Sequence, residues 1–133
     1  MVTASKEDYL RGLYILQERN SKIKSVDLAD YLDVSKPSVS EMMKELDKEG
    51  FVDYRRYSSI RFTPKGKNMA KKLTSKHRLI EIFLKDVLKL NNKNLHKEAH
   101  RLEHAFSDES IERLKKLLGN PKVDPHGKPI PSY

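Results

Sequence analysis

Apolar side chains recur at helical spacing through the first fifty residues and predict three helices. The first begins near Ser5, the second covers residues 26–32, and the third runs from Ser35 to about Gly50. Pro37 falls in the first turn of the third helix, where a missing amide hydrogen leaves no helical bond unmade. The expected buried positions are Tyr9, Leu13, Tyr14, Leu16, Leu28, Ala29, Leu32, Val39, Met42, Met43 and Leu46.

The second and third helices are joined by only two or three residues, which is typical of a helix-turn-helix. Two runs rich in aromatic and β-branched residues follow, residues 51–57 and 60–63, with Ser58 and Ser59 as a turn between them. These runs predict a β-hairpin, or wing. We therefore expect residues 1–70 to form a winged helix-turn-helix DNA-binding domain.

The second half of the chain is also predicted to be helical. One helix runs from Lys65 to about Leu88, and a further helix from about Lys93 to Ala105. The longer helix carries more apolar side chains than a small monomeric lobe needs, namely Met69, Leu73, Leu79, Ile80, Phe83, Leu84 and Val87. The predicted fold class is therefore mainly α, with a helical dimerisation domain over residues 71–133, and the expected assembly is a homodimer.

Composition narrows the class of protein. A chain of 133 residues excludes a large multidomain enzyme, and the absence of cysteine excludes disulfides, thiolate metal sites and cysteine nucleophiles. No run approaches the roughly 20 apolar residues of a membrane span, and no secretory signal opens the chain, so we expect a cytoplasmic protein without a membrane partner. The net charge of +8 and the pI near 9.6 favour a polyanionic partner.

The third helix and the hairpin carry the side chains expected to face DNA. Lys36, Ser38 and Lys44 are assigned to phosphates, whereas serine and proline make only weak contacts with base edges, so DNA shape should contribute to selectivity. Ser35 is equally a candidate helix cap. Lys65 and Lys67 extend the basic cluster after the hairpin. The DNA-binding candidates are Ser35, Lys36, Pro37, Ser38, Ser40, Glu41, Lys44, Arg55, Arg56 and Arg61.

Three of the five histidines fall within nine residues of the last predicted helix. Their spacing with a nearby glutamate is i, i+4, i+7 and i+8, which places the four side chains within about a 100° sector of the helix. Leu95 and Ala99 lie in the adjoining sector, so this polar face should border the core. The sequence predicts a metal-ligand face formed by His96, His100, Glu103 and His104.

Imidazole and carboxylate ligands together suit manganese, iron, cobalt, nickel or zinc, whereas calcium and magnesium prefer oxygen ligands alone. His77 and Glu81 form an i, i+4 pair on the preceding helix, able to close a second site with His96 or to assist the first. Asp8 could add a ligand from the DNA-binding half. His126, in a proline-rich tail, is interpreted as a loop residue.

Two alternatives from other classes remain open at this point. A histidine-ligated metallohydrolase is disfavoured because the order around His100 is His-Arg-Leu-Glu-His, not the His-Glu-x-x-His of zinc proteases. A metal-independent winged-helix regulator would bind an organic effector between its dimer helices. The interpretation that we adopt is a regulator and not an enzyme.

Several short motifs resemble the metal-dependent repressors of the diphtheria toxin repressor and manganese transport regulator family. The resemblance spans nearly the whole chain. Its motifs are Glu7-Asp8-Tyr9-Leu10, Ser35-Lys36-Pro37-Ser38-Val39-Ser40, Thr63-Pro64-Lys65-Gly66, His77-Arg78-Leu79, His96-Lys97-Glu98-Ala99-His100-Arg101-Leu102-Glu103-His104 and Gly127-Lys128-Pro129-Ile130-Pro131.

The resemblance implies repression of metal-uptake genes by a dimer on operator DNA, loaded with Fe(II) or Mn(II), with Co(II), Ni(II) or Zn(II) as substitutes. It also implies two ligand sets: a regulatory one of Asp8, His100, Glu103 and His104, and an ancillary one of His77, Glu81 and His96.

The chain departs from the family pattern at three points. His100 stands where iron sensors have cysteine and manganese sensors have glutamate, and Arg11 stands where the manganese branch has a second carboxylate. Longer relatives continue into an SH3-like domain, which we expect this chain to lack.

Overall fold

The computed structural model describes residues 3–55 and 58–133, and it is mainly helical, which confirms the predicted fold class. The chain divides into two compact units. The N-terminal unit comprises residues 1–71 and Tyr133, and the C-terminal unit comprises residues 72–132. Each unit is described separately below.

Three helices build most of the N-terminal unit: α1 (Ala4–Arg19), α2 (Ser25–Leu32) and α3 (Lys36–Lys48). The hydroxyl of Thr3 accepts a hydrogen bond from the Lys6 amide, so α1 starts before the predicted Ser5. Only three residues separate α2 from α3, as a helix-turn-helix requires. The side chains that pack fully inside this unit include Leu10, Leu13, Leu28, Val39, Met43 and Leu46.

The wing is a two-stranded antiparallel ladder of β1 (Val52–Asp53) and β2 (Arg61–Phe62), with Val52 opposite Phe62. The predicted strands were longer because the apolar pattern extends beyond the ladder. The backbone amides at its ends have other partners: Tyr54 donates to the Asp47 carboxylate at 2.7 Å, and Ile60 donates to the Ile23 carbonyl at 2.7 Å. Those donors are therefore not available to lengthen the sheet.

Helix α4 (Pro64–Ile82) begins immediately after the wing. The Thr63 hydroxyl donates to the Gly50 carbonyl at 2.6 Å and accepts from the Gly66 amide at 3.0 Å, which ties the helix start to the end of α3. A Cβ atom at Gly66 would lie 1.7 Å from the Phe51 carbonyl oxygen. Glycine is therefore required here because the two backbones pass so close together.

The C-terminal unit contains the second half of α4, a π-helical turn (Phe83–Val87), α5 (Asn92–Glu103) and α6 (Asp108–Leu117). The sequence pattern did not predict α6. Ser107 caps this helix by accepting from the Ser110 amide, and its two buried side chains, Ile111 and Leu114, join the core. The other buried residues of that core are Leu79, Ile80, Ile82, Leu84, Leu95 and Ala99.

Much of the apolar surface that suggested a dimer is used inside this unit. Leu79, Ile80 and Leu84 are at most 2% exposed, whereas Val87 and Leu88 are 48% and 53% exposed. An intersubunit contact built from these helices would therefore involve the π-helical turn and the residue after it. None of the helices in the described part of the chain has both the length and the apolar composition that a membrane crossing needs.

Candidate metal centre and nucleic-acid interface

The ancillary set consists of His77, Glu81 and His96, and their ligand atoms lie within 4.8 Å of one another. One turn of α4 separates His77 from Glu81, and α5 presents His96 to them. His77 Nε2 lies 3.1 Å from Glu81 Oε1 and 3.2 Å from His96 Nδ1. His77 and Glu81 are buried and His96 is exposed, so this set has one solvent-facing side.

The regulatory set, within the C-terminal unit, consists of His100, Glu103 and His104 at the end of α5. Glu103 Oε1 lies 3.0 Å from His100 Nδ1 and 3.6 Å from His104 Nε2. The Glu103 side chain is only 5% exposed, whereas that of His100 is 46% exposed. Asp8 lies half-buried on α1 in the N-terminal unit, and its place in this set stays a prediction.

The four side chains of the predicted ligand face do not form one cluster. His96 and His104 are eight residues apart, which is about 12 Å along a helix at about 1.5 Å per residue, too far for one ion. His96 is instead grouped with the two α4 residues. Spacing on a helical wheel identified the shared face but not the division along the helix axis.

A buried hydrogen bond joins the two sets. His77 Nδ1 lies 2.6 Å from Glu103 Oε2, and both side chains are at most 5% exposed. An ionised carboxylate can only accept, so the ring nitrogen is the donor. Glu103 thus directs one oxygen to the imidazoles of the regulatory set and the other oxygen to the ancillary set.

Glu81 lies in an unusual electrostatic environment. Burial by itself would raise the pKa of its carboxyl, but the hydrogen bond from His77 and the charges of His77, His96 and His126 outweigh burial and lower the pKa below its ordinary value. Its Oε2 atom is buried and has no hydrogen-bond partner. A bound cation would satisfy this oxygen, so the residues present fit a metal ion.

The position of His126 was not predicted from the sequence. A turn stabilised by the buried Asp124 carboxylate, which accepts from the amides of His126 and Lys128, brings His126 Nδ1 to 3.9 Å from Glu81 Oε2. Asp124 itself pairs with Arg78 at 3.9 Å. Ligand atoms of Glu81, Asp124 and His126 also lie within 4.8 Å of one another. No local pattern marks this approach, because more than forty residues separate Glu81 from the turn.

The residues predicted to face DNA lie mainly on the exposed side of α3. At its start Ser35, Lys36, Pro37 and Ser38 are exposed, as are Glu41 and Lys44 one and two turns later. The Ser35 hydroxyl accepts from the Ser38 amide at 3.2 Å, so it does cap the helix. Ser40 is half-buried, and its hydroxyl accepts from the Tyr54 hydroxyl at 3.4 Å.

The wing supplies two further exposed cations, Arg55 and Arg61, whereas Arg56 lies outside the described residues. Lys65 is less available than predicted, because its ammonium donates to the Glu49 carbonyl at 2.9 Å and lies over the Phe51 ring. A shallow groove at α3 includes residues that the sequence pattern did not single out, and it is lined by Lys24, Ser25, Val26, Lys36, Ser40, Tyr54 and Ser58.

Two family descriptions match the sequence in succession. Residues 1–60 match the N-terminal DNA-binding domain of the iron-dependent repressors. Residues 63–132 match the metal-binding and dimerisation domain of the same proteins. Together the two matches span almost the whole chain.

Individual relatives agree with these matches. An uncharacterised HTH-type transcriptional regulator of Methanocaldococcus jannaschii is 44% identical over 86% of this chain and 92% of its own length. The HTH-type transcriptional regulator MntR of Geobacillus thermodenitrificans is 35% identical over 89% of this chain and 83% of its own length. The structure of the manganese regulator SloR superposes with a TM-score of 0.84 at 46% identity, covering 96% of this chain and 59% of SloR. The chain thus spans about three fifths of that larger protein.

Proposed function

The chain belongs to the iron-dependent repressor family, and from that premise we propose that it is a dimeric transcriptional repressor that binds operator DNA when loaded with Fe(II) or Mn(II). Its targets are genes for uptake of the same metal. The proposal includes the absence of enzymatic activity.

The observation that carries the proposal is the pair of imidazole–carboxylate sets in the C-terminal unit. Each set offers one carboxylate and two imidazoles within 4.8 Å, and this mixture suits divalent transition ions. Calcium and magnesium, which prefer oxygen ligands alone, are disfavoured by the same chemistry. The helix-turn-helix and the exposed cations of α3 and the wing support DNA as the regulated partner.

In the proposed mechanism, Asp8 completes the regulatory set with His100, Glu103 and His104. When bound, the ion supplies the positive charge that holds carboxylates and imidazoles from separate segments together. Because Asp8 belongs to α1, filling this set restrains the first helix of the DNA-binding half and favours one arrangement of the two recognition helices. Operator binding must then tighten metal binding by the same factor, typically about 1–3 kcal/mol.

Metal preference is the finer part of the proposal. The family is described as iron-dependent, and SloR is described as a manganese regulator. The imidazole of His100 differs from the cysteine of iron sensors and from the glutamate of manganese sensors. We propose Fe(II) or Mn(II) as the physiological ion, with Co(II), Ni(II) and Zn(II) able to substitute in vitro.

Selection of binding sites from a random DNA duplex pool tests the function. The full chain is used anaerobically with Mn(II), with Fe(II), or with a chelator. We expect a two-fold symmetric site to be enriched only with metal, since a dimer reads two half-sites. Enrichment of the same site with chelator would refute metal dependence and favour the metal-independent regulator. No enrichment in any arm would refute repression through DNA, and ester turnover by the metal-loaded protein would favour a metallohydrolase.

A further inference from the structure

We propose that His77 and Glu103 couple the two ligand sets, so that an ion held by the ancillary set strengthens ion binding by the regulatory set. This inference rests on the metal-dependent function proposed above. It gives each of the two residues a double role, because each is a ligand of one set and the positioning partner of the other set.

The geometry of the bridge is continuous. His77 Nε2 faces the ancillary set, at 3.1 Å from Glu81 Oε1, while its Nδ1 lies 2.6 Å from Glu103 Oε2. Glu103 Oε1 faces the regulatory set, at 3.0 Å from His100 Nδ1. One imidazole and one carboxylate are therefore all that separates the two sets.

The direction of the effect follows from where the proton of the His77 ring is held. Two carboxylates, those of Glu81 and Glu103, lie on opposite sides of this ring, and both can only accept. An ion bound at Nε2 leaves Nδ1 as the position for the proton, which then donates to Glu103 Oε2. A carboxylate partner of this kind fixes the orientation of a metal-bound imidazole. Here the same hydrogen bond also fixes the carboxylate.

Burial makes the bridge effective. Because both side chains are at most 5% exposed, water does not compete strongly for the hydrogen bond. With Oε2 held by His77, Glu103 presents Oε1 to His100 and His104 in one orientation, so less freedom is lost when the regulatory set is filled. The protein should accordingly fill the ancillary set first and respond through the regulatory set second.

Calorimetric titration of the full chain with Mn(II), without DNA, tests the coupling. Glu81→Gln and His96→Ala both weaken the ancillary set and leave the two bridge residues in place. Each variant should bind one ion, with an affinity about tenfold below that of the regulatory set in the wild-type protein, within the range of roughly 5- to 150-fold known for coupled sites. Lys97→Ala, an exposed change on α5, is the matched control and should bind like the wild type.

Reciprocity provides a second measurement. His104→Ala removes a regulatory ligand without touching the bridge, so it should weaken the ancillary set by the same factor. With diamagnetic Zn(II), the nitrogen NMR spectrum should show the His77 ring protonated at Nδ1. A ring protonated at Nε2 would overturn the bridge.

The outcomes separate this inference from the proposed function. If the wild-type chain binds no transition ion, the metal-dependent function itself fails. If the wild type binds two ions, and Glu81→Gln and His96→Ala leave the regulatory affinity unchanged, only the coupling is refuted. Because His96 is exposed, its replacement guards against a folding defect in the variant of the buried Glu81.

Discussion

Replacing His100 with alanine should separate metal response from folding. The imidazole lies at the end of α5, with Nδ1 3.0 Å from Glu103 Oε1, and its side chain is 46% exposed. Because nearly half of the ring already faces solvent, its loss leaves little unfilled space. We expect the free energy of unfolding of the metal-free protein to change by about 0.5 kcal/mol, which is typical of surface substitutions.

The expected effect on metal binding is larger. Loss of a residue that only positions a metal ligand typically weakens affinity by roughly 10- to 100-fold, and loss of a ligand itself should cost at least as much. That range corresponds to about 1.4–2.8 kcal/mol. The metal effect should therefore exceed the stability effect several times over, so the variant should fold and yet respond poorly to metal.

The assay is fluorescence anisotropy of a selected operator duplex titrated with protein at rising Mn(II), without oxygen. His100→Ala should shift the Mn(II) midpoint at least tenfold upwards, or abolish the response, while the urea unfolding midpoint stays close to that of the wild type. Lys97→Ala is the matched control on the same helix. An unchanged Mn(II) midpoint in His100→Ala would refute the assignment of this residue as a ligand.

Three further predictions follow from single contacts. Gly66→Ala should lower stability by about 1–3 kcal/mol or more, because the new methyl group would lie 1.7 Å from the Phe51 carbonyl oxygen; a urea midpoint like that of the wild type would contradict this. Arg61→Ala should weaken operator binding and reduce the slope of log affinity against log salt by about 1 if its exposed guanidinium contacts a phosphate, and an unchanged slope would remove that residue from the interface. In the metal-free protein, the lowered pKa of Glu81 stabilises the fold at pH values above the ordinary carboxyl pKa of about 4.3. The stability difference between wild type and Glu81→Gln should therefore be largest near neutral pH and disappear as the pH falls through the lowered pKa; a difference independent of pH in urea titrations would contradict this.

Local sequence carried enough information for the order of elements up to α5. Periodic apolar positions predicted helices because each helix buries one face, and Leu28, Val39, Met43 and Leu46 are indeed buried. The cap at Ser35 was recognisable for the same local reason, since a helix start exposes amides that a nearby hydroxyl can satisfy. Helix α6 was missed because few apolar residues mark its single buried stripe.

The sequence by itself determined which chemistry the protein carries: imidazoles and carboxylates on one helical face, cations on another, and no thiol. Only the tertiary structure decided how those groups are divided. Packing of α4 against α5 places His96 beside His77, joins His77 to Glu103, and a distant turn brings His126 near Glu81. The physical reason is that helical periodicity sets the direction of a side chain around its own axis. The distance to a side chain on another element depends on how the elements pack.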